Sequence, residues 1–226
     1  MLSVTYWDLR GLGEAIHLML EYLGIEYERK VFKQSEGKDP KGNLKGPWLK
    51  EKTENLMGLE FPNLPYIVDG DVKLSQSWAI LKYIARKGNL APVTEEEKIR
   101  CDVTEGAIAD FQFNFVTMCY SPNFKHMRRP FLIALPEKLA NFEKILSERE
   151  WLIGNRLSFL DFRFAELLDH VELCYPGCLD KTEHIKNYKT KFESLEKIAA
   201  YKKSDRFHKW PLNGARAAWG GKNEEA

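Results

Sequence analysis

Cysteine is scarce in this 226-residue chain: there are four, and the first hundred residues hold none. Cys174 and Cys178 form a C-x3-C pair with no matching pair elsewhere, so no metal is expected there, and free thiols in a reducing, cytoplasmic compartment are. Nowhere does the chain approach the ~20 consecutive apolar residues of a membrane span, and its opening residues lack a signal-peptide pattern. An excess of either charge is missing too. The formal net charge is +1, with 13 basic and 12 acidic residues in 1–87 and 21 of each afterwards. Without a basic patch, nucleic acid is not an expected partner, and neither is a membrane. There is no internal repeat. What remains is an ordinary globular composition, 44% apolar and 30% charged, in a chain long enough for one large domain or two small ones.

The most informative stretch is Leu59 to Ser77. Tyr66-Ile67-Val68 is aromatic and β-branched, Asp69-Gly70 is a hairpin turn signal, and Val72-Lys73-Leu74 alternates as a half-buried strand does. Ser75-Gln76-Ser77 then leads into the apolar-periodic run Ala79, Ile80, Tyr83, Ile84, placing hydroxyls where a helix needs a cap. Leu64-Pro65 precedes the first strand. A proline there donates no ladder bond, so the chain must turn, and a cis bond is expected. The backbone of Leu64 is then left for an extended ligand, while the new helix offers unpaired N–H groups to a carboxylate. On spacing alone, a structural hairpin capped onto a helix explains the same residues.

Around this stretch, Leu2–Trp7 reads as a strand, Glu14–Leu23 as an amphipathic helix ended by Gly24, and Tyr27–Phe32 as a second strand, a β-α-β unit with a parallel pair. Lys33–Gly46, rich in lysine and glycine, is expected to be a long exposed loop, and Trp48 to about Met57 a short helix. Gly88–Val93 is the linker candidate. Beyond it the pattern is helical: a capping box at Thr94 and Glu97 opens a run to about Cys119, Ser121-Pro122-Asn123 breaks it, and Pro136 begins a helix through Leu146. A second box, Ser158 to Asp161, opens a buried helix, and shorter helices are expected over His184–Glu193 and Leu195–Lys203.

Asn63-Leu64-Pro65 together with Gln76-Ser77 resembles the glutathione-binding signature of the cytosolic glutathione S-transferases. Gly58–Tyr66 and Tyr6-Trp7-Asp8-Leu9-Arg10-Gly11-Leu12 are similar to the mu class in particular, and the similarity covers nearly the whole chain. The resemblance implies a thioredoxin-like α/β domain over residues 1–87, a linker at 88–93 and an all-helical domain over 94–226. It also implies a homodimer that conjugates glutathione to hydrophobic electrophiles in detoxification, with glutathione as co-substrate and no other cofactor.

The resemblance further assigns roles. Tyr6 is the hydrogen-bond donor to the glutathione sulfur. The physical need for one is clear: a thiol of pKa ~8.5 is only slightly ionised at neutral pH, and the thiolate is the nucleophile. Gln76 and Ser77 hold the γ-glutamyl carboxylate; Asn63, Leu64 and Pro65 hold the cysteinyl backbone; Lys45, Trp48 and Lys52 hold the glycine end; Trp7 and Leu12 line the site. Asp110 is lent by the neighbouring subunit to the γ-glutamyl ammonium. Leu9, Leu12, Ile108, Val116 and Tyr120 wall the electrophile site, and Phe61 packs into the partner.

Two departures bear on the glycine end. Lys45 stands where many mu relatives have arginine, a point charge in place of a planar fork, and about two extra residues lie between Trp48 and Asn63. The alternatives are a hydrophobic-ligand carrier of the same fold, against which Tyr6 argues, and a sigma-like isomerase, against which Gly58–Tyr66 argues. Disulfide exchange ranks lower because the first 87 residues contain no cysteine.

Overall fold

Alternation of small and apolar residues makes Leu2–Trp7 the strand β1, and it becomes the centre of a four-stranded sheet ordered β2-β1-β3-β4. This is a computed structural model that describes residues 1–33 and 46–221. Lys45 and nearly all of the lysine-rich stretch before Gly46 therefore lie outside the described residues, as do the last five.

β2 (Tyr27–Phe32) runs parallel to β1 after the helix α1 (Glu14–Leu23), while β3 (Tyr66–Asp69) and β4 (Val72–Ser75) are antiparallel. Gly24 closes α1 in the left-handed region at φ 68° and donates to Glu21 and Leu20 carbonyls. α2 (Pro47–Glu54) is shorter than the sequence implies, because Asn55 takes a left-handed φ of 47° and ends it. α3 (Ser77–Lys87) follows the hairpin directly. This is the thioredoxin-like arrangement.

Everything after it is helical: α4 (Glu95–Tyr120), α5 (Phe124–Glu148), α6 (Phe159–Cys174), α7 (Glu183–Glu193) and α8 (Glu196–Lys203). The boundary most at variance with expectation is the start of α5. It begins at Phe124, twelve residues before Pro136, and carries both Pro130 and Pro136 inside. A proline removes one intrahelical bond and crowds the preceding turn. The stripe Phe131, Leu135, Leu139, Phe142 and Leu146, buried on one face, supplies enough packing to override that cost. The four cysteines are free thiols, with Cys101, Cys119 and Cys174 buried. No helix among the described residues is long and apolar enough to cross a membrane.

The helical part docks through charge as well as apolar contact. Arg10, in the turn after β1 and 2% exposed, donates from Nε and Nη2 to Glu166 of α6 at 2.9 and 2.7 Å, and also to Asp169. Glu166 also meets His170 Nε2 at 2.8 Å. Burial opposes ionisation of Glu166, but Arg10 and His170 outweigh it and hold the carboxyl well below its usual range. The C-terminal tail ties the same region again: Pro211 and Leu212 carbonyls accept from the amides of Arg10 and Gly11 at 2.9 and 3.0 Å, and Ala218 donates to Cys119 at 2.8 Å. The end of β1 is thus clamped between α6 and the tail.

Candidate active site

At that clamped end the chain assembles a second apolar cluster, separate from the main core: Tyr6, Leu9, Trp48, Leu59, Leu64 and Tyr66 are buried, with Trp7 and Leu12 packed against them. Six of the expected site residues thus meet in one place. Trp48 is held by its neighbours, its ring 6.2 Å from that of Tyr66 and 5.7 Å from that of Phe32.

Tyr6 sits within glycine-shaped space. A Cβ on Gly11 would lie 2.7 Å from the Tyr6 hydroxyl, at a φ of 39° that already disfavours a side chain, and one on Gly13 would lie 2.6 Å from the ring. The hydroxyl accepts from the Leu12 amide at 3.1 Å. No acceptor for its own proton is present among the described residues. Burial pushes the Tyr6 pKa up to about 12, Tyr120 adds to the rise, and the Leu12 amide and Arg163 act the other way. At neutral pH this is a sheltered, protonated O–H able to donate a hydrogen bond.

The start of α3 lies next to the Pro62–Leu64 loop. Ser75 Oγ donates to the Phe61 carbonyl at 2.6 Å, tying the Pro62–Leu64 loop beside the Gln76–Ser77 junction. Gln76 holds a φ of 72° and ψ of 111°, and its side chain makes no cap. A non-glycine residue there costs on the order of 1–3 kcal/mol, and such strain clusters at binding sites. The gain is that the first amides of α3 stay open at the positive end of the helix. Leu64-Pro65 is cis, as expected. Asn63 and Gln76 are exposed and Ser77 is half-buried.

The remaining expected residues divide. Val116 is half-buried and Tyr120 is 40% exposed, its hydroxyl accepting from the Gly214 amide at 2.6 Å. Ile108 shares the helix but is fully enclosed in the main core, with no exposed surface. Its spacing from Val116 and Tyr120 fits a single stripe, but α4 buries the side carrying Ile108 against α5 and α6. Lys52 is solvent-exposed on α2, and Asp110 and Phe61 are exposed as well, Phe61 to 65%. Lys45 lies outside the described residues.

Two neighbours had no sequence signal. Gly214, in the irregular tail, reaches Tyr120 only through the tertiary fold. Arg163 interrupts the run Phe162-Arg163-Phe164 on the buried helix, yet is itself 0% exposed and donates from Nη2 to the Leu12 carbonyl at 3.2 Å.

The profile of the glutathione S-transferase N-terminal domain matches residues 2–86, and that of the glutathione S-transferase C-terminal domain matches 109–205. The chain belongs to the glutathione S-transferase family. Glutathione S-transferase Mu 1 of Homo sapiens is 44% identical over 217 residues, covering 96% of this transferase and 97% of the human protein. Glutathione S-transferase Mu 1 of Macaca fascicularis is 42% identical over 221 residues, 98% and 99% of the two chains. Among solved structures, the glutathione S-transferase Blo t 8 superposes with a TM-score of 0.84 at 28% identity over 96% of this chain and 99% of that one. The Pi-class enzyme of Onchocerca volvulus gives 0.82 at 28% identity, with the same coverage. Within the family the transferase therefore sits with the mu class. The profile matches leave residues 87–108 between them, a span that holds the connection between α3 and α4 and the first half of α4.

Proposed function

We propose that the transferase binds glutathione in the crevice between the turn after β1, the Asn63–Pro65 loop and the start of α3, and ionises its thiol against Tyr6. The thiolate then adds to hydrophobic electrophiles. One observation carries this reading: Tyr6 is a buried, protonated hydroxyl held by an amide at 3.1 Å, with no acceptor among the described residues for its own proton. A sulfur anion is the partner that geometry favours.

Around the sulfur, Gln76 and Ser77 with the open α3 amides take the γ-glutamyl carboxylate, Asn63 and Leu64 take the cysteinyl backbone beside Pro65, and Trp7 and Leu12 line the wall. Trp48 and Lys52, with Lys45, take the glycine carboxylate. Leu9, Val116 and Tyr120 face the electrophile, with Ile108 behind. Residues 1–87 form the glutathione domain and 94–226 the helical one, joined by 88–93. The working form is a cytoplasmic homodimer. Phe61, Val103 and Phe113, 65%, 70% and 72% exposed, are large apolar side chains that association would cover.

An ultraviolet titration of bound glutathione tests the reading. The thiolate band is expected to appear with a pKa well below the free value of ~8.5, together with turnover of an aromatic halide. Saturable binding with an unshifted pKa and no turnover would instead make the protein a carrier.

Asp110 offers an exposed carboxylate on α4. In the dimer it reaches the γ-glutamyl ammonium of the partner's ligand. Asp110→Ala is expected to weaken glutathione binding by about tenfold, the value of one charge-assisted hydrogen bond, while sedimentation still reports a dimer. Unchanged affinity would remove Asp110 from the site.

A further inference from the structure

Arg163 is a buried cation whose charge the fold leaves unanswered. It lies in the second turn of α6, fully enclosed. Nη2 donates to the Leu12 carbonyl at 3.2 Å, and the guanidinium lies 5.3 Å over the ring of Trp78, in the first turn of α3. Its Nε and Nη1 are buried without a partner. Among the described residues it makes no ion pair. Glu166, less than one turn along, is the nearest candidate, but both its oxygens are engaged by Arg10 and one also by His170. Burial lowers the Arg163 pKa to about 10, opposed by Tyr6 and then Glu166, so the group is charged at neutral pH.

The charged and titratable groups acting on this cation are thus Tyr6 from β1 and Glu166 from α6, with Tyr120 of α4 bearing on Tyr6 from the far side. Leu12 joins them: its amide donates to the Tyr6 hydroxyl and its carbonyl accepts from Arg163. Keeping an unpaired charge in a core is expensive, and packing would be served as well by a leucine. A cation so placed, one residue behind the hydroxyl that faces the ligand, is arranged for an anion that arrives with the ligand.

We propose that Arg163 is a positioning residue for the thiolate: it supplies, from behind Tyr6 and Leu12, the positive field that keeps the bound sulfur ionised. The thiolate is the counter-ion the fold omits. This inference rests on the reading that Tyr6 donates to the sulfur of glutathione.

The test compares wild type, Arg163→Gln and Arg163→Lys by ultraviolet titration of bound glutathione, with S-methylglutathione affinity as a control that involves no thiolate. At an effective dielectric of about 20, a unit charge about 10 Å away corresponds to about one pKa unit. Arg163→Gln is expected to raise the bound pKa by about that much, so that conjugation falls several-fold near pH 6 and recovers above about pH 8. Arg163→Lys should stay close to wild type, and S-methylglutathione should bind all three alike.

If the wild-type pKa is depressed but Arg163→Gln matches it, this inference fails and the Tyr6 reading stands. If the wild-type pKa is itself unshifted, the Tyr6 reading fails first. Equal loss of S-methylglutathione binding in both variants would reduce Arg163 to a packing role. Should Arg163→Gln not fold, Tyr6→Phe with Arg163 intact decides: it should keep a residual depression of about one unit, and a bound pKa equal to the free value would overturn the proposal.

Discussion

Tyr6→Phe is expected to bind glutathione about as tightly as the wild type and to conjugate it about 5- to 50-fold more slowly near pH 6. The magnitude follows from one hydrogen bond. A donor to a charged acceptor is worth about 1.5–3 kcal/mol, which at ~1.4 kcal/mol per unit raises the bound thiol pKa by about one to two units. Where the wild type is about half ionised, the variant then holds roughly 1–10% thiolate. The sign fixes the pH dependence: removing the donor moves the rising limb of the rate profile to higher pH. The gap should therefore narrow above about pH 8, where both forms hold thiolate. A rate loss of the same size at every pH would mean that Tyr6 positions the substrate instead of ionising it. The substitution also strands the Leu12 amide, which now donates to the hydroxyl at 3.1 Å, and should lower stability by about 1 kcal/mol. Thermal denaturation separates that small cost from the kinetic one.

The parts of this site legible in the sequence are those governed by local rules. Asp69-Gly70 fixed the hairpin between β3 and β4, Gly24 fixed the end of α1, and the Thr94–Glu97 and Ser158–Asp161 boxes fixed the starts of α4 and α6 to within a residue. Each is decided within a few residues of chain, so the order of elements could be read directly. What was not legible depended on distant partners. The first turns of α5 are not legible because Ser121-Pro122-Asn123 reads as a break and Pro136 as a helix start, whereas the buried stripe from Phe131 and Leu135 onward packs the whole stretch from Phe124 as helix. Ile108 shares a stripe with Val116 and Tyr120, yet which part of that stripe faces the site and which the core is set by α5 and α6. Arg163 looks like a misplaced polar residue among phenylalanines until Leu12, 151 positions away, is brought to its Nη2.

The largest stability effect should come from Asp161, outside the crevice. Its side chain is fully buried and acts as a hub. Oδ2 accepts from the Ser158 amide and hydroxyl, both at 2.8 Å, and Oδ1 accepts from the Leu152 amide at 3.1 Å and the Tyr188 hydroxyl at 3.2 Å. Asp161→Ala removes the carboxylate half of the α6 capping box, about 1 kcal/mol, and takes an acceptor from two further donors, Leu152 N–H and Tyr188 O–H. Tyr188 retains the Asp161 carbonyl at 3.1 Å, whereas the Leu152 amide retains nothing equivalent. With a stranded buried donor costing about 1–3 kcal/mol, cap and Leu152 together come to about 2–4 kcal/mol, a large share of a typical 5–15 kcal/mol total. A melting temperature lower by about 10 °C is expected, with Asp161→Asn intermediate because one oxygen survives. A shift under about 2 °C would mean that Ser158 alone caps the helix. The consequence reaches the crevice because α6 is one rigid unit: its start is held by Asp161, its second turn carries Arg163, and its middle carries Glu166 against Arg10. Loosening the cap should therefore blunt the thiolate titration as well as the melting temperature, whereas a surface change of equal destabilisation on α7 should move only the latter.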